Sequence, residues 1–332
     1  MGTVFGGILA IALGVGGAYA VFWVGNFAVD RLVGRSDKAE AIRGYVFILP
    51  AMFVVGLFLV YPLLDTIRLT FFANDVRRGQ SRGFVGLDNY VAILGDHVFR
   101  SALWNNILWM IVVPAGAVIV GLAAAVLADN LKPRWEKLSK SMIFLPMAIS
   151  FVGASVVWDL IYDVNPPGTP QTGILNAIVV GVFGGSPIPW LERIAYNDFA
   201  MMAVMIWLQA GFAMVLLSAA IKSVPEDTIE AARIDGASET QVFFRIVVPQ
   251  IQSTIVVVLT TILILVLKVF DIVRVLGRAG QFNTDVIANA FYTQFVQGNN
   301  GSAGVYVVVL VILTIPFMIL NIRRFREQEA LR

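Results

Sequence analysis

The chain has 332 residues, 58% of them hydrophobic and only 14% charged, with a formal net charge of +2. Apolar runs longer than about 18 residues recur along it, which excludes an ordinary soluble domain and points to a polytopic membrane protein. The absence of cysteine excludes disulfides, thiolate metal sites and cysteine nucleophiles, and a single histidine, His97, argues against imidazole metal clusters and histidine-based triads.

A spanning helix needs about 20 mostly apolar residues. Seven segments meet that requirement, at approximately 4–29, 45–64, 103–128, 141–162, 199–221, 253–275 and 303–322. In the first, Ala18-Tyr19-Ala20 has the form of a signal cleavage site. No positive charge precedes the run, however, and it continues to Val29, so it reads as a retained helix. The loops at 65–102 and 163–198 carry turn signals ("GFVGLDNY", "NPPGTPQTG", "GGSPIPW") and read as compact caps. The expected organisation is an N-terminal helix and linker (1–43), one all-α membrane domain (44–325) and a short tail (326–332).

Alternate loops differ in charge. The set formed by 30–43, 129–140, 222–252 and the tail after 322 holds fifteen Lys and Arg, and the other set holds seven. The richer set is expected to face the cytoplasm, with the N-terminus outside and the C-terminus inside. His97 falls in an outer loop and reads as a solvated or docking residue rather than a ligand. The tail Arg323-Arg324-Phe325-Arg326 reads as an anchor near anionic lipid.

The loop at 222–252 is polar yet strongly patterned. Ser223, Pro225, Glu226 and Asp227 make a helix start, with proline at the first helical position and negative charge at the positive end of the dipole. The helix should run to Asp235, where Gly236 fits a left-handed C-terminal cap. Ser238 and Gln241 have the spacing of a capping box for a second helix that returns through Pro249. Ile229, Ala232 and Gly236 share one narrow stripe, flanked by Glu226, Glu230 and Arg233. Small residues on a stripe permit close approach by another surface; a hairpin that merely folds back on its own bundle fits equally well.

Residues Glu230-Ala231-Ala232, Gly236 and Ile246-Val247-Val248-Pro249 resemble the EAA loop of ATP-binding-cassette importer permeases, E-A-A-x3-G-x9-I-x-L-P, with Val248 in place of leucine as the one departure. "GFVGLDNYVAIL" (83–94) and "AAIKSVPEDTIEAARIDGA" (219–237) are similar to maltose-type carbohydrate permeases. "KVFDIVRVL" and "ANAFYTQF" resemble the alpha-glucoside permeases of that group. The resemblance spans about 44–325 and implies a six-helix permease core to which the span at 4–29 is an addition. It further implies a multi-pass protein of the bacterial inner membrane that works with a second, different permease subunit, a cytoplasmic ATPase dimer and an extracytoplasmic sugar-binding protein. It implies a role in ATPase coupling for Glu226, Ile229, Glu230, Ala231, Ala232, Arg233, Asp235 and Gly236. The chain has no Gly-Lys dipeptide and hence no phosphate loop, so no cofactor is expected on it, and ATP and Mg are expected on the partner ATPase.

Polar groups within the spans are the remaining candidates, because charge in hydrocarbon is costly unless paired or hydrated. Lys268, Asp271 and Arg274, spaced i, i+3, i+6, are expected to pair along one helix face, as interfacial ion pairs or as a lining of the path. A pyranose presents hydroxyls around its edge and apolar faces. Asn105, Asn106 and Trp109, Ser155, Trp158 and Tyr162, and Trp207, Gln209 and Gly211 offer the matching chemistry. Most of these residue types serve helix contacts or the aromatic belt, and Gln209, near mid-span, is the one most expected to meet substrate. A permease for another solute such as glycerol phosphate stays open, as do an ion-coupled secondary transporter and a non-transporting scaffold; no nucleic-acid partner is expected.

Overall fold

The structure is a computed structural model that describes residues 16–17, 19–20, 22–25, 27, 29, 31, 37–73, 83–194 and 196–330. Much of the expected first span, 4–29, and residues 30 and 32–36 of its linker fall outside the described residues, as does the end of the tail. The chain divides into two compact units, residues 1–69 and 70–332.

In the first unit, α1 (Asp37–Val55) passes through a π-helical turn at Gly56–Val60 into α2 (Tyr61–Leu69). The ladder slips just ahead of Pro62, which lacks an N–H and whose ring crowds the carbonyl four residues earlier. Ile48–Leu69 is long and apolar enough to cross a membrane.

The second unit contains α3 (Asp88–Gly95), α4 (His97–Asp129), α5 (Pro133–Phe144), α6 (Phe151–Tyr162), α7 (Ile174–Gly181) and α8 (Asn197–Lys222). It continues with α9 (Glu226–Ile234), α10 (Glu239–Val242), α11 (Val248–Gln250), α12 (Gln252–Leu267), α13 (Asp271–Leu276), α14 (Ile287–Val296) and α15 (Asn300–Ala330). Among the described residues there is no strand, only an isolated bridge between Phe72 and Phe84. Among the described residues four helices are long and apolar enough to span a membrane, or six when each of two bent pairs is counted as one span. These six match the expected core.

Two of the expected spans are broken rather than straight. The span at 141–162 starts earlier, with Pro133 at the beginning of α5, and bends by 104° between Ala148 and Phe151. A 3-10 turn at Leu145–Ala148 contains Pro146, and Ser150 then caps α6 by accepting from the Gly153 N–H, so the helix is restarted rather than continued. The span expected at 253–275 ends at Leu267, and residues 239–250 meet α12 at 67°.

The core is the contact of α4 with α8. Ala117, Gly121, Ala125 and Ala128 are buried along one face of α4, and Ala210, Ala213, Met214 and Leu217 are buried on α8. Small side chains bring the helix axes close, which is how helices associate where lipid is as apolar as the side chains. A Cβ added at Gly121 would stand 2.5 Å from Ala213 Cβ and 2.8 Å from the Met214 nitrogen. The loops on either side of α3 and α7 are held by buried asparagines. Asn89 donates to the carbonyls of Thr70 and Phe72, both at 2.8 Å. Asn176 donates to Asp163 and Ile188 carbonyls and accepts from the Ile188 N–H.

Candidate coupling loop and translocation path

The segment after α8 folds as a helix, turn and helix. Ser223 does not cap α9: its hydroxyl donates back to the Ala220 carbonyl at 2.7 Å and closes α8, and Pro225 takes the N-cap position in place of the first helical one. Glu226 and Asp227 occupy the first turn as expected. Gly236 has φ +85, and two bonds, Gly236 N–H to Arg233 and Ala237 N–H to Ala232, close a Schellman turn. The capping box at Ser238 and Gln241 is complete. Arg233 forms a two-pronged bridge to Glu239 at 2.8 and 3.0 Å, pinning α9 to α10 across the glycine and holding the Glu239 carboxyl below its usual range. Arg233 shares a helix face with Glu226 and Glu230, but its bridge runs to Glu239, which lies beyond the turn.

On α9, Glu226, Glu230, Ala231, Arg233, Asp235 and Gly236 are exposed, whereas Ile229 and Ala232 are half-buried. Ile229 and Arg233 line a cleft of about 400 Å³ with Val126, Ile221, Val242 and Phe243. The hairpin thus rests Ile229 and Arg233 toward the cleft and turns Glu226, Glu230, Ala231, Asp235 and Gly236 outward. Ile234, 85% exposed, adds an apolar group to that outer face.

The expected path residues fall into three environments. Asn105 and Asn106 are buried and used by backbone: Asn105 donates to the Asn283 and Asp285 carbonyls at 2.7 and 2.8 Å, and Asn106 accepts from the Ile287 N–H at the start of α14. Trp109 is fully buried in the core. Ser155 donates to the Phe151 carbonyl on its own helix. A Cβ on Gly211 would lie 2.5 Å from the Ile143 carbonyl oxygen, so this glycine lets α8 approach the end of α5.

Trp158 belongs to a second environment. Its ring meets Trp207 edge-on at 5.6 Å and Tyr162 at 5.3 Å, and Tyr162 continues to Trp190. The Trp158 and Trp190 indole nitrogens are buried without a hydrogen-bond partner among the described residues. Tyr162 and Trp190 border a cleft of about 120 Å³ with Asp159, Asp163, Glu192 and Arg278. Gln209 is 4% exposed and forms no hydrogen bond among the described residues.

The expected pairing of Lys268, Asp271 and Arg274 is absent from the described ion pairs, because the helix ends at Leu267 and Lys268, at φ −111 and ψ 26, interrupts the register. Arg274 instead lies 4.9 Å over the Tyr292 ring and donates to Asn289 at 3.4 Å. Lys268 is exposed, Asp271 half-buried, and the His97 side chain is exposed at the start of α4.

The family described as "Binding-protein-dependent transport system inner membrane component" matches residues 117–323, which contain the hairpin and both bent pairs. The chain belongs to this family. Its members are the membrane component of such systems, not a catalytic one, and this permease accordingly has several apolar helices and a polar hairpin between two of them. It is 49% identical over 288 residues to the osmoprotective compounds uptake permease protein GgtC of Synechocystis, covering 86% of this chain and all of that one. It is 44% identical to the alpha-glucoside transport system permease protein AglF of Rhizobium meliloti, covering 97% of each. A chain of the bacterial alginate ABC transporter, solved with its alginate pentasaccharide-bound periplasmic protein, superposes with a TM-score of 0.68. At 22% identity over 83% of this permease and 91% of that chain, the match shows a shared fold.

Proposed function

We propose that this permease is one of two different membrane subunits of an ATP-driven importer of alpha-glucoside-type oligosaccharides in a bacterial inner membrane. Its N-terminus is outside and its C-terminus cytoplasmic. ATP and Mg are bound by a separate cytoplasmic ATPase dimer, and an extracytoplasmic binding protein delivers the sugar. The observation that carries the coupling role is the hairpin itself: a helix closed at its C-terminal end by the Gly236 turn and bridged to the next helix by Arg233 and Glu239, with Glu226, Glu230 and Ala231 facing outward. A braced hairpin moves as a body, so closure of an ATPase dimer against it would rock the helices that flank it.

For the cargo, 44% identity across 97% of the chain to an alpha-glucoside permease supports a sugar. So does the array of Trp158, Tyr162, Trp190 and Trp207, which runs to the cleft that Tyr162 and Trp190 border and has the aromatic chemistry that stacks on pyranose C–H faces. A small osmoprotective solute is a second reading, favoured by the 49% identity to GgtC.

The complete transporter, purified through a tag on this chain and reconstituted with its binding protein, is expected to accumulate labelled maltose, sucrose or trehalose only when ATP is supplied. Uptake driven by an ion gradient without ATP would overturn the reading, and uptake of a labelled osmoprotective compound in place of these sugars would move the cargo to the osmoprotectant class. Gln209→Leu is expected to lower that uptake at normal membrane abundance, because it removes an amide that no neighbour occupies. Unchanged transport kinetics would take Gln209 off the path.

A further inference from the structure

Five polar side chains outside the EAA segment form a cluster that topology alone does not explain. Lys140 donates to Asp129, to Glu136 Oε1 at 2.6 Å and to Ser218 Oγ at 2.5 Å, so all three ammonium donors are used. Ser218 in turn donates to Asp129 Oδ1 at 2.8 Å. Lys222 is bonded to Glu136 and stands 3.7 Å from Asp129. The side chains of Lys140, Asp129 and Glu136 are 19%, 15% and 18% exposed. A lysine whose task is only to mark the cytoplasmic side points toward water and lipid headgroups, and Lys140 points inward.

Asp129 is the last residue of α4, where a carboxylate faces the negative end of the helix dipole, so the position is unfavourable unless cations hold it. Both cations come from other helices: Lys140 from α5 and Lys222 from the last turn of α8. Only Ser223, Val224 and Pro225 separate that last turn from α9, and Val224 is packed against the bundle core. The cluster therefore joins the helix that leads into the hairpin to the ends of α4 and α5. From α5 the chain turns through 104° into α6, which carries Trp158 and Tyr162.

We propose that Lys140, clasped by Asp129, Glu136 and Ser218, is a positioning residue for energy coupling: it transmits displacement of α9 through the end of α8 into α5 and α6. This rests on the reading of the chain as an ATP-driven permease. A satisfied polar network has one geometry and resists being pulled apart.

The test uses the reconstituted whole transporter and measures sugar molecules taken up per ATP hydrolysed. Wild-type uptake that needs no ATP would defeat the underlying reading and not this inference. With ATP-dependent uptake established, Lys140→Met and the milder Ser218→Ala are each expected to copurify the ATPase and hydrolyse ATP near the wild-type rate, while uptake per ATP falls by about fivefold or more. Lys140→Arg, which keeps the charge and the donors, is expected to recover most of the ratio. An unchanged ratio in Ser218→Ala, together with either an unchanged ratio in Lys140→Met or failure of that variant to insert, would overturn the proposal. Equal losses of hydrolysis and uptake would also overturn it, since they signal damage to assembly rather than to transmission.

Discussion

Gly236→Trp and Glu230→Lys are each expected to leave the permease inserted in the membrane at normal abundance and to reduce ATP-driven uptake by about tenfold or more, the equivalent of losing roughly 1.4 kcal/mol of contact with the ATPase. At Gly236 the backbone has φ +85, a region in which any residue with a Cβ is disfavoured by about 1–2 kcal/mol. Nothing lies within 4 Å of a Cβ built there, so the chain itself has room for the indole, which would stand on the outward face. Gly236→Ala separates the two effects, because it carries the backbone strain without the bulk, and its loss should be smaller. Glu230 is exposed and forms no close ion pair among the described residues, and although its charge acts on Arg233, the Arg233 bridge runs to Glu239, so the main effect of reversing the charge falls on what a partner meets. ATPase copurification and uptake are the measurements. If both variants retain both, the hairpin is not the coupling element.

The hairpin was legible because its signals are local. Gly236, Ser238 and Gln241 act through bonds spanning a few residues, and all three do what their spacing implies. Asp96, capping α4 through the Val98 N–H, belongs to the same class of local device. What hydropathy could not show is where a span breaks. Residues 141–162 are apolar enough throughout to read as one helix, and only the Pro146 turn and the Ser150 cap divide them. The break at Lys268 has no proline or glycine beside it to announce it, and the expected ion pairs of Lys268 and Asp271 depended on an unbroken helix. Long-range partners were the other gap. Glu136 and Lys140 are spaced i, i+4 and could be paired from sequence, but Asp129 and Ser218 reach them only because α4, α5 and α8 converge. Asn105 and Asn106 have the chemistry of a sugar site and are consumed by the backbone of 283–287, more than 170 residues away.

Gly121→Val should do what the coupling variants do not and remove folded protein. Its Cβ would meet Ala213 Cβ at 2.5 Å, the Met214 nitrogen at 2.8 Å and the Ala210 carbonyl oxygen at 2.9 Å, and two of these atoms belong to the α8 backbone, which cannot turn aside. Overpacking of this kind costs about 1–3 kcal/mol where side chains can adjust and more where they cannot. The expected result is low membrane abundance and an aggregated peak after detergent extraction. Gly116→Ala is the graded comparison: the atom nearest its Cβ, at 2.5 Å, is the terminal methyl of Ile206, which can rotate away, so folded yield should hold. Ala213→Gly placed beside Gly121→Ala removes the contact between the two Cβ atoms and leaves the two backbone contacts, so it should restore only part of the yield. Gly211→Ala belongs with Gly121 rather than with the path, since its Cβ meets the Ile143 carbonyl at 2.5 Å and the Phe144 Cα at 2.7 Å. Normal abundance with altered uptake in Gly211→Ala would instead place that glycine beside the substrate, and normal abundance in Gly121→Val would show that α4 and α8 do not pack at this distance.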